Sequence, residues 1–259
     1  MSRRTLWWAV ALLTGVVVAL ISAVGILGSL ARQSFAGSDL YVMPVTQLAV
    51  NSSSGSITVV PGPAGRVTVT QNLHWATTRP AVAVDRRGGA ITVSVDCGGY
   101  GMVSAWDCSA DVTIQVPPQT SVLTVDESGT TAVQRLSGPL DLQTASGSLE
   151  LDAVSGPVQA LVDSGSVEGD SLRSSTVAVQ ADSGSIDLGF STPPKGVQTR
   201  VGSGSIDVAV PQGSHYRVTG GASSGGSWDV AEGLNTPSAT GTIYATSGSG
   251  SVDIDYSSR

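Results

Sequence analysis

The chain is poor in aromatic and charged residues. Of its 259 residues, 5% are aromatic and 13% are charged, whereas 41% are hydrophobic and 32 are glycine. A core made from such a chain must consist mainly of Val, Leu, Ile and Ala, and branched aliphatic side chains suit narrow stacked strands. The composition therefore predicts an all-β, repetitive domain rather than an ordinary globular enzyme.

Histidine and cysteine are also scarce, which limits the metal-binding and catalytic chemistry. The only histidines are His74 and His215, and neither has metal-ligand spacing to Cys97 or Cys108, so the zinc motifs are excluded. Phosphate loops and dinucleotide fingerprints are absent from the sequence, and no Gly-x-Ser-x-Gly elbow lies between a strand and a helical segment. A lone histidine on a strand is more often structural or exposed than catalytic.

Positive charge is the third thing the chain has little of. All 20 acidic residues follow Ser38, against ten of the 13 basic residues. This balance argues against a nucleic-acid partner. Anionic wall polymers and lipid headgroups are expected to be repelled unless cations bridge them.

What the chain has in abundance is a repeat. Ser-Gly-Ser, an apolar residue and an acidic residue recur, with central glycines 18, 19, 20, 22 and 24 residues apart. A period near 20 is typical of stacked units that bury their apolar faces against one another. The central glycines are Gly147, Gly165, Gly184, Gly204, a blurred copy at Gly226, and Gly250.

Apolar residues alternate with polar ones on both sides of each glycine, which predicts two short strands for each repeat. Glycine supplies the positive φ of a tight turn, and serine hydroxyls hydrogen-bond the local backbone. The predicted fold is an all-β β-solenoid or β-roll of two-strand turns, with 18 to 24 residues in each turn. Gly169, at a position that is apolar in the other copies, predicts a bulge or a weak point.

The N-terminal segment predicts one transmembrane α-helix before this fold. Residues 5–31 contain no charge, and as a helix they would span about 40 Å, more than the roughly 30 Å of bilayer hydrocarbon. Arg3 and Arg4 precede the segment, which places residues 1–4 in the cytoplasm and the C-terminal domain outside. The alternative is a cleaved signal peptide with a small-x-small site at residues 34–36.

The two cysteines fit an oxidising location. A disulfide between Cys97 and Cys108 would close a short hairpin-like loop and stabilise the fold by about 3 kcal/mol in the chain-entropy model. Two free thiols are the alternative, and export favours the disulfide.

The chain divides by composition into segments. Residues 32–44 are predicted to be a linker, residues 45–125 an N-terminal β cap with the first turns, and residues 126–256 the repeat solenoid. An early motif copy around Gly55 supports a common stack, and a separate small β domain is the alternative for residues 45–125.

The strand of residues 112–117, the following residues 120–125 and the Ser-Gly-Ser copies resemble the putative adhesin family, a domain of unknown function in exported bacterial proteins. The resemblance covers roughly residues 45–255. It implies a β-solenoid-like extracytoplasmic domain, often behind one transmembrane segment, with a role in adhesion or in cell-envelope stress systems. It implies no catalytic residue.

An acidic ladder is the most unusual chemical feature of the repeats. Stacking in register would align six carboxylates about 4.8 Å apart, where like charges repel by about 1 kcal/mol per pair in water. One interpretation is a row of weak divalent-cation sites, such as Ca²⁺, with Asp163 and Asp182 as extra ligands. The other is a solvated, salt-screened face. The ladder consists of Glu150, Glu168, Asp187, Asp207, Asp229 and Asp253.

Three functional hypotheses follow, in this order. The first is a non-enzymatic, membrane-anchored binding module that presents a long repeat face to a surface glycan or an envelope protein. The second is an accessory or sensor of an envelope regulatory system that acts through a membrane partner. The third is a polysaccharide-active β-helical enzyme, which evenly spread carboxylates do not favour. No cofactor is expected apart from the weak Ca²⁺ sites of the first interpretation of the acidic ladder, and the ligand and the oligomeric state are open.

Overall fold

The computed structural model describes residues 12, 14–16, 33–76, 78–97, 108–223 and 225–257. Residues 33–257 of the described part form an open, all-β structure, which confirms the all-β part of the predicted fold. The strands are β1 (Gln33–Val42), β2 (Gln47–Ser52), β3 (Ser56–Pro61), β4 (Arg66–Trp75), β5 (Ala81–Arg87), β6 (Ala90–Asp96), β7 (Cys108–Val116), β8 (Ser121–Gln134), β9 (Leu140–Asp152), β10 (Val158–Leu172), β11 (Thr176–Phe190), β12 (Gly196–Val210), β13 (Tyr216–Ala222), β14 (Trp228–Val230), β15 (Gly241–Ser249) and β16 (Val252–Tyr256).

The predicted transmembrane helix, residues 5–31, lies almost wholly outside the described residues. Within the described part of the chain, no helix is long and apolar enough to cross a membrane.

Each repeat forms one coil with two limbs that meet at the Ser-Gly-Ser corner. In β10, the buried residues are Val158, Ala160 and Val162 before the corner, and Val167, Gly169 and Leu172 after it. The five-residue step from Val162 to Val167 resets the period-two alternation, so that both limbs turn their apolar residues to one core. The hydrogen-bonded pairing resumes in register at the corner, so in β9 to β12 the two predicted short strands are the two limbs of one long strand that bends at the corner.

The connection between coils lies at the other end of each strand. After β9, residues 153–157 carry the chain back to the start of β10. Ala153 adopts a left-handed φ of 52°, and the Val154 side chain is fully buried. These connections stack as well, because Ser155 N donates to Leu136 O in the preceding connection.

Nine coils stack in parallel in the part of the chain that the structure describes, but their order in space differs from their order in sequence at both ends. The spatial order is β6 with β7, β2 with β3, then β8, β9, β10, β11, β12, β15 with β16, and β13 with β14. The last coil in sequence therefore lies between β12 and the preceding coil in sequence.

Antiparallel strands close the N-terminal end of the stack. Strand β4 pairs with β7, and β1 continues that sheet by pairing with β4 over its whole length. Strand β5 pairs with β6 on the first-limb side. Residues 33–42 are thus a paired strand and not part of the predicted linker over residues 32–44.

The apolar residues of both limbs form one continuous core along the stack. The pairing of β10 with β11 shifts between Gly169 and Leu172, which confirms the predicted bulge. The Leu172 side chain fills the space beside Gly169, because a Cβ built on Gly169 would lie 2.8 Å from Leu172 Cδ1.

Candidate functional site

The Ser-Gly-Ser corners stack into a glycine column, which requires glycine for two reasons. All members except Gly226 have a positive φ, for example 135° at Gly184. A Cβ on Gly184 would also lie against the carbonyl oxygen of Gly165 in the neighbouring coil. The glycine column consists of Gly55, Gly129, Gly147, Gly165, Gly184, Gly204, Gly250 and Gly226.

The first coil in space has a disulfide where the other coils have a glycine corner, which in most of them is Ser-Gly-Ser. Cys97 directly follows β6 and Cys108 begins β7, with their Cα atoms 5.8 Å apart. The predicted pairing of these cysteines is confirmed. Ala110 takes the place next to Gly55 at the end of the glycine column. The bond therefore joins the two limbs of this coil.

The structure aligns the six carboxylates of the acidic ladder in one row on the second limb. Glu150 pairs with Glu168, and Asp187 pairs with Asp207. Because the last two coils exchange places, Asp253 lies beside Asp207 and Asp229 ends the row. All six side chains are exposed. We call this set the acidic row: Glu150, Glu168, Asp187, Asp207, Asp253 and Asp229.

Electrostatic repulsion is visible within this row. Partial desolvation, together with the charges of Asp187 and Asp253, raises the pKa of Asp207. Desolvation and the charge of Asp229 likewise raise the pKa of Asp253. No three acidic, histidine or cysteine side chains of the described residues converge as metal ligands. Asp163 and Asp182, the suggested extra ligands, are exposed next to the corners.

The two histidines lie apart from the acidic row. His74 is exposed on β4, beside the N-terminal end of the stack. His215 precedes β13, and its Nδ1 lies 2.9 Å from the carbonyl oxygen of Gly233. That hydrogen bond ties the imidazole to the backbone and gives it a structural role.

The first limb presents a different outward surface, which is rich in amides. Four consecutive coils each contribute one exposed glutamine. The register puts these glutamines alternately in two neighbouring columns, so that they follow a zigzag along the stack. They are Gln143, Gln159, Gln180 and Gln198.

A shallow groove runs along these glutamines. It comprises two adjoining depressions of about 530 and 490 Å³, which share Asp141, Gln159, Ala178 and Gln198. The small side chain of Ala178 leaves a gap between Gln159 and Gln198. We call this surface the amide groove; its lining also includes Leu161, Arg200 and Tyr244.

The amide groove has almost no net charge. Asp141 and Arg200 are the ionisable acid and base among its lining residues. A hydrogen bond from the Arg200 guanidinium lowers the pKa of the Tyr244 phenol, and Tyr244 lies beside Gln198 in the register. Six coils from β8 to β15 contribute to the groove, a length of about 24 Å at 4.8 Å per strand.

Sequence reasoning missed the amide groove, although a signal was present. Gln143 and Gln180 lie three positions before a Ser-Gly-Ser motif, and Gln159 and Gln198 lie five positions before one. Positions with the same parity in a strand face the same side. The recurrence of one residue type at these two offsets could have identified the surface.

One carboxylate is buried where the repeats begin. Asp126 is 3% exposed, and it is flanked in register by Ser52 and Thr144. Its Oδ2 accepts a 2.8 Å hydrogen bond from Thr131 Oγ1, whereas its Oδ1 has no hydrogen-bond partner among the described residues. Burial raises the pKa of Asp126.

Solved structures with a similar architecture come from three bacteria. A putative cell adhesion protein of Clostridium sporogenes ATCC 15579 has 11% identity and a TM-score of 0.42, over 86% of this chain and 100% of that chain. A putative adhesin of Bacteroides fragilis NCTC 9343 has 16% identity and a TM-score of 0.47, over 86% and 97%. A putative lipid binding protein of Parabacteroides distasonis ATCC 8503 has 11% identity and a TM-score of 0.39, over 86% and 96%.

The family comparison is more direct. None of the curated proteins compared matches the chain. The family model named Toastrack DUF4097 matches residues 44–259, which include every coil of the stack. This match confirms the resemblance to an adhesin-type family of unknown function. The chain belongs to the Toastrack DUF4097 family.

Proposed function

We propose that this protein is a membrane-anchored, extracytoplasmic and non-enzymatic binding module that holds uncharged polysaccharide in its amide groove. The observation that carries the proposal is the zigzag of four glutamines along four consecutive coils. The parallel register gives these side chains a regular spacing, which suits a ligand that itself repeats.

The chemistry of the amide groove favours a neutral, hydroxyl-rich ligand. Each glutamine amide offers two donor hydrogens and an acceptor oxygen, so it can meet a sugar hydroxyl in either role. With Asp141 and Arg200 balancing each other, the groove has no net charge to select an ionic ligand. Tyr244 at one end supplies an aromatic ring with a polar tip, which can contact the apolar face of a sugar ring.

Two observations support the extracytoplasmic, anchored location. The Cys97–Cys108 disulfide persists in oxidising compartments and is rare in the cytosol. The uncharged run of residues 5–31, after Arg3 and Arg4, has the length and flanking charge of a signal anchor. The groove would then face the wall or the extracellular space.

Binding of uncharged polymers to the full-length protein in lipid nanodiscs tests this proposal. The probes are a soluble β-glucan, an α-glucan and a mannan, with polygalacturonate as a polyanion, and affinity is read by biolayer interferometry. We expect binding to at least one neutral polymer and none to the polyanion. Gln159→Ala with Gln198→Ala should reduce that binding at least tenfold, because it removes two amide groups.

The matched control is Glu168→Gln with Asp187→Asn, two residues of the second limb. Glu168 lies in the same coil as Gln159, and Asp187 lies in the coil between those of Gln159 and Gln198. This pair changes the acidic row and leaves the amide groove intact, so binding should stay within twofold of wild type. Equal loss in both double variants, or no binding of any neutral polymer, would contradict the proposal and favour an envelope protein as the partner.

A further inference from the structure

We propose that the N-terminal end of the stack rests on the anionic surface of the membrane, with Arg79 and Arg86 against the lipid phosphates. This inference depends on the anchored topology of the proposed function but concerns a different surface. It assigns a lipid contact to the strands β1 and β5. These strands lie at the end of the stack opposite to the coil of β13 and β14.

The position of β1 in the chain brings this end close to the anchor. The uncharged run ends at Ala31, and β1 begins at Gln33. At about 3.3 Å per residue, Phe35 lies within roughly 15 Å of the end of that run. Since β1 is paired with β4 along its whole length, no long flexible segment separates the predicted anchor from the folded stack.

The side chains at this end combine cationic and apolar groups. The Arg79 guanidinium lies 4.4 Å from the centre of the Phe35 ring and 5.5 Å from that of Trp75. The Arg86 guanidinium lies 5.2 Å from the centre of the Tyr41 ring. These contacts link the β5 side of the end to the β1 side, and aromatic residues with arginine suit the headgroup region of a bilayer.

The outward face of β1 adds apolar surface that has no cover in the described residues. Leu40 is 58% exposed and Val42 is 76% exposed. A long exposed edge strand of this kind invites pairing with other chains unless something covers it. Contact with lipid headgroups would cover both the side chains and the strand edge.

The distribution of charge favours this orientation. Residues 33–116 contain four arginines and five aspartates, whereas residues 121–256 contain five basic and 15 acidic residues. An anionic bilayer therefore repels the repeats much more strongly than the nearly neutral N-terminal end. The stack would stand on the membrane, with the acidic row and the amide groove directed away from it.

Hydrogen exchange of the full-length protein tests this contact. The protein is reconstituted in nanodiscs of phosphatidylcholine alone and of phosphatidylcholine with phosphatidylglycerol, and amide exchange is followed over residues 33–42 and 79–87. We expect slower exchange at both segments in the anionic nanodiscs. Each arginine near an anionic surface contributes about a fivefold factor to binding. Arg79→Gln with Arg86→Gln should therefore reduce the equilibrium constant for membrane contact about 25-fold.

Two further variants separate lipid contact from a structural role. Arg79→Lys with Arg86→Lys keeps the charge and should keep the protection in anionic nanodiscs. Arg173→Gln with Arg217→Gln removes the same charge from exposed repeat positions and should change nothing at residues 33–42. Protection that is equal in both lipids and in the glutamine variant would overturn the contact. Failure of the protein to purify with the nanodiscs would instead contradict the anchor.

Discussion

The two limbs of each coil share one backbone design but carry surfaces of opposite character. On the second limb, equivalent positions of six coils hold the carboxylates of the acidic row. On the first limb, uncharged amides alternate between two neighbouring columns, with one balancing pair of charges. Because the corner resets the alternation of inward and outward residues, each limb can be varied without changing the other.

The acidic row also shows where the repeats begin. Its line continues across the N-terminal coils through Ala132, Thr58 and Thr113, and then through Thr70 on β4. None of these four residues is charged. Along this line, negative charge is therefore confined to the repeats, and like charges there disfavour lateral pairing of the second-limb faces. The first limb, with its amides, is left as the surface suited to contact.

The largest effect on stability is expected from a substitution at the corner that separates the two limbs. Gly184→Ala places a Cβ against the carbonyl oxygen of Gly165 at a φ that L residues rarely adopt. We expect a loss of at least about 3 kcal/mol in the free energy of unfolding, measured by denaturant titration.

Gly213→Ala is the matched control for this substitution. Gly213 also has a positive φ, of 78°, but a Cβ there would meet no atom within 4 Å. The expected cost is only the conformational one, about 1–2 kcal/mol. Equal losses for the two variants would show that the stacked carbonyls do not restrict the corner.

The second prediction concerns the one coil whose corner is a disulfide. Replacing Cys97 and Cys108 together by serine should lower the free energy of unfolding by about 3 kcal/mol, because the 11-residue separation constrains the unfolded chain. Chemical denaturation with and without reductant should give the same difference in wild type. A reductant-insensitive wild type would show that this corner is held by packing alone.

The third prediction contrasts a buried carboxylate with the exposed ones. Asp126→Ala should cost about 1–3 kcal/mol, because Thr131 Oγ1 loses its acceptor in a buried position. Asp126→Asn keeps an acceptor and removes the charge. Burial raises the pKa of Asp126 in the folded state, so the native protein binds this proton more tightly than the unfolded chain.

The sign of the pH effect follows from that difference. Protonation of Asp126 stabilises wild type fully below the pKa of the unfolded chain, and this contribution is lost as the pH rises through the folded-state pKa. The advantage of Asp126→Asn over wild type should therefore grow with pH, in unfolding titrations between pH 4 and pH 8. A constant difference over this range would show that Asp126 is ionised throughout.

The repeat coils could be predicted from the sequence because the pattern is strict. Ser-Gly-Ser at nearly equal spacing predicts the position of the corner, and the alternation around it predicts which residues face inward. Together the two patterns predict the acidic row. Gly169 predicts the bulge in the same way, because it stands at a position that is apolar in the other copies. These features depend only on local periodicity.

The remaining features depend on information that periodicity does not contain. Residues 231–240 carry the chain from β14 back to β15, so the coil of β15 and β16 lies between β12 and the coil of β13 and β14, and the repeat pattern contains no signal for this exchange. Strand β1 could not be distinguished from a linker, since its outward residues Leu40 and Val42 are apolar and break the alternation. The amide groove was missed because glutamine in a strand is unremarkable until neighbouring coils align it.

The smallest expected effect comes from the acidic row itself. Asp207→Asn removes the central carboxylate, which lies between Asp187 and Asp253. Like charges directly opposite on neighbouring strands are destabilising, so we expect a gain of about 0.5–1 kcal/mol at low ionic strength. Thermal unfolding in 20 mM and 500 mM sodium chloride should show the gain shrinking with salt.

The pH dependence and a calcium titration separate repulsion from cation binding in this row. Desolvation and its acidic neighbours raise the pKa of Asp207 in the folded state. Wild type therefore gains stability as the pH falls through that pKa, and its deficit relative to Asp207→Asn should close below pH 4.

Calcium at constant ionic strength should act no differently from magnesium if the row is only a solvated face. A rise in the wild-type midpoint with calcium alone, absent from Asp187→Asn with Asp207→Asn, would instead show that the carboxylates bind the ion, by mass action on the native state. The row would then be a second ligand surface beside the amide groove.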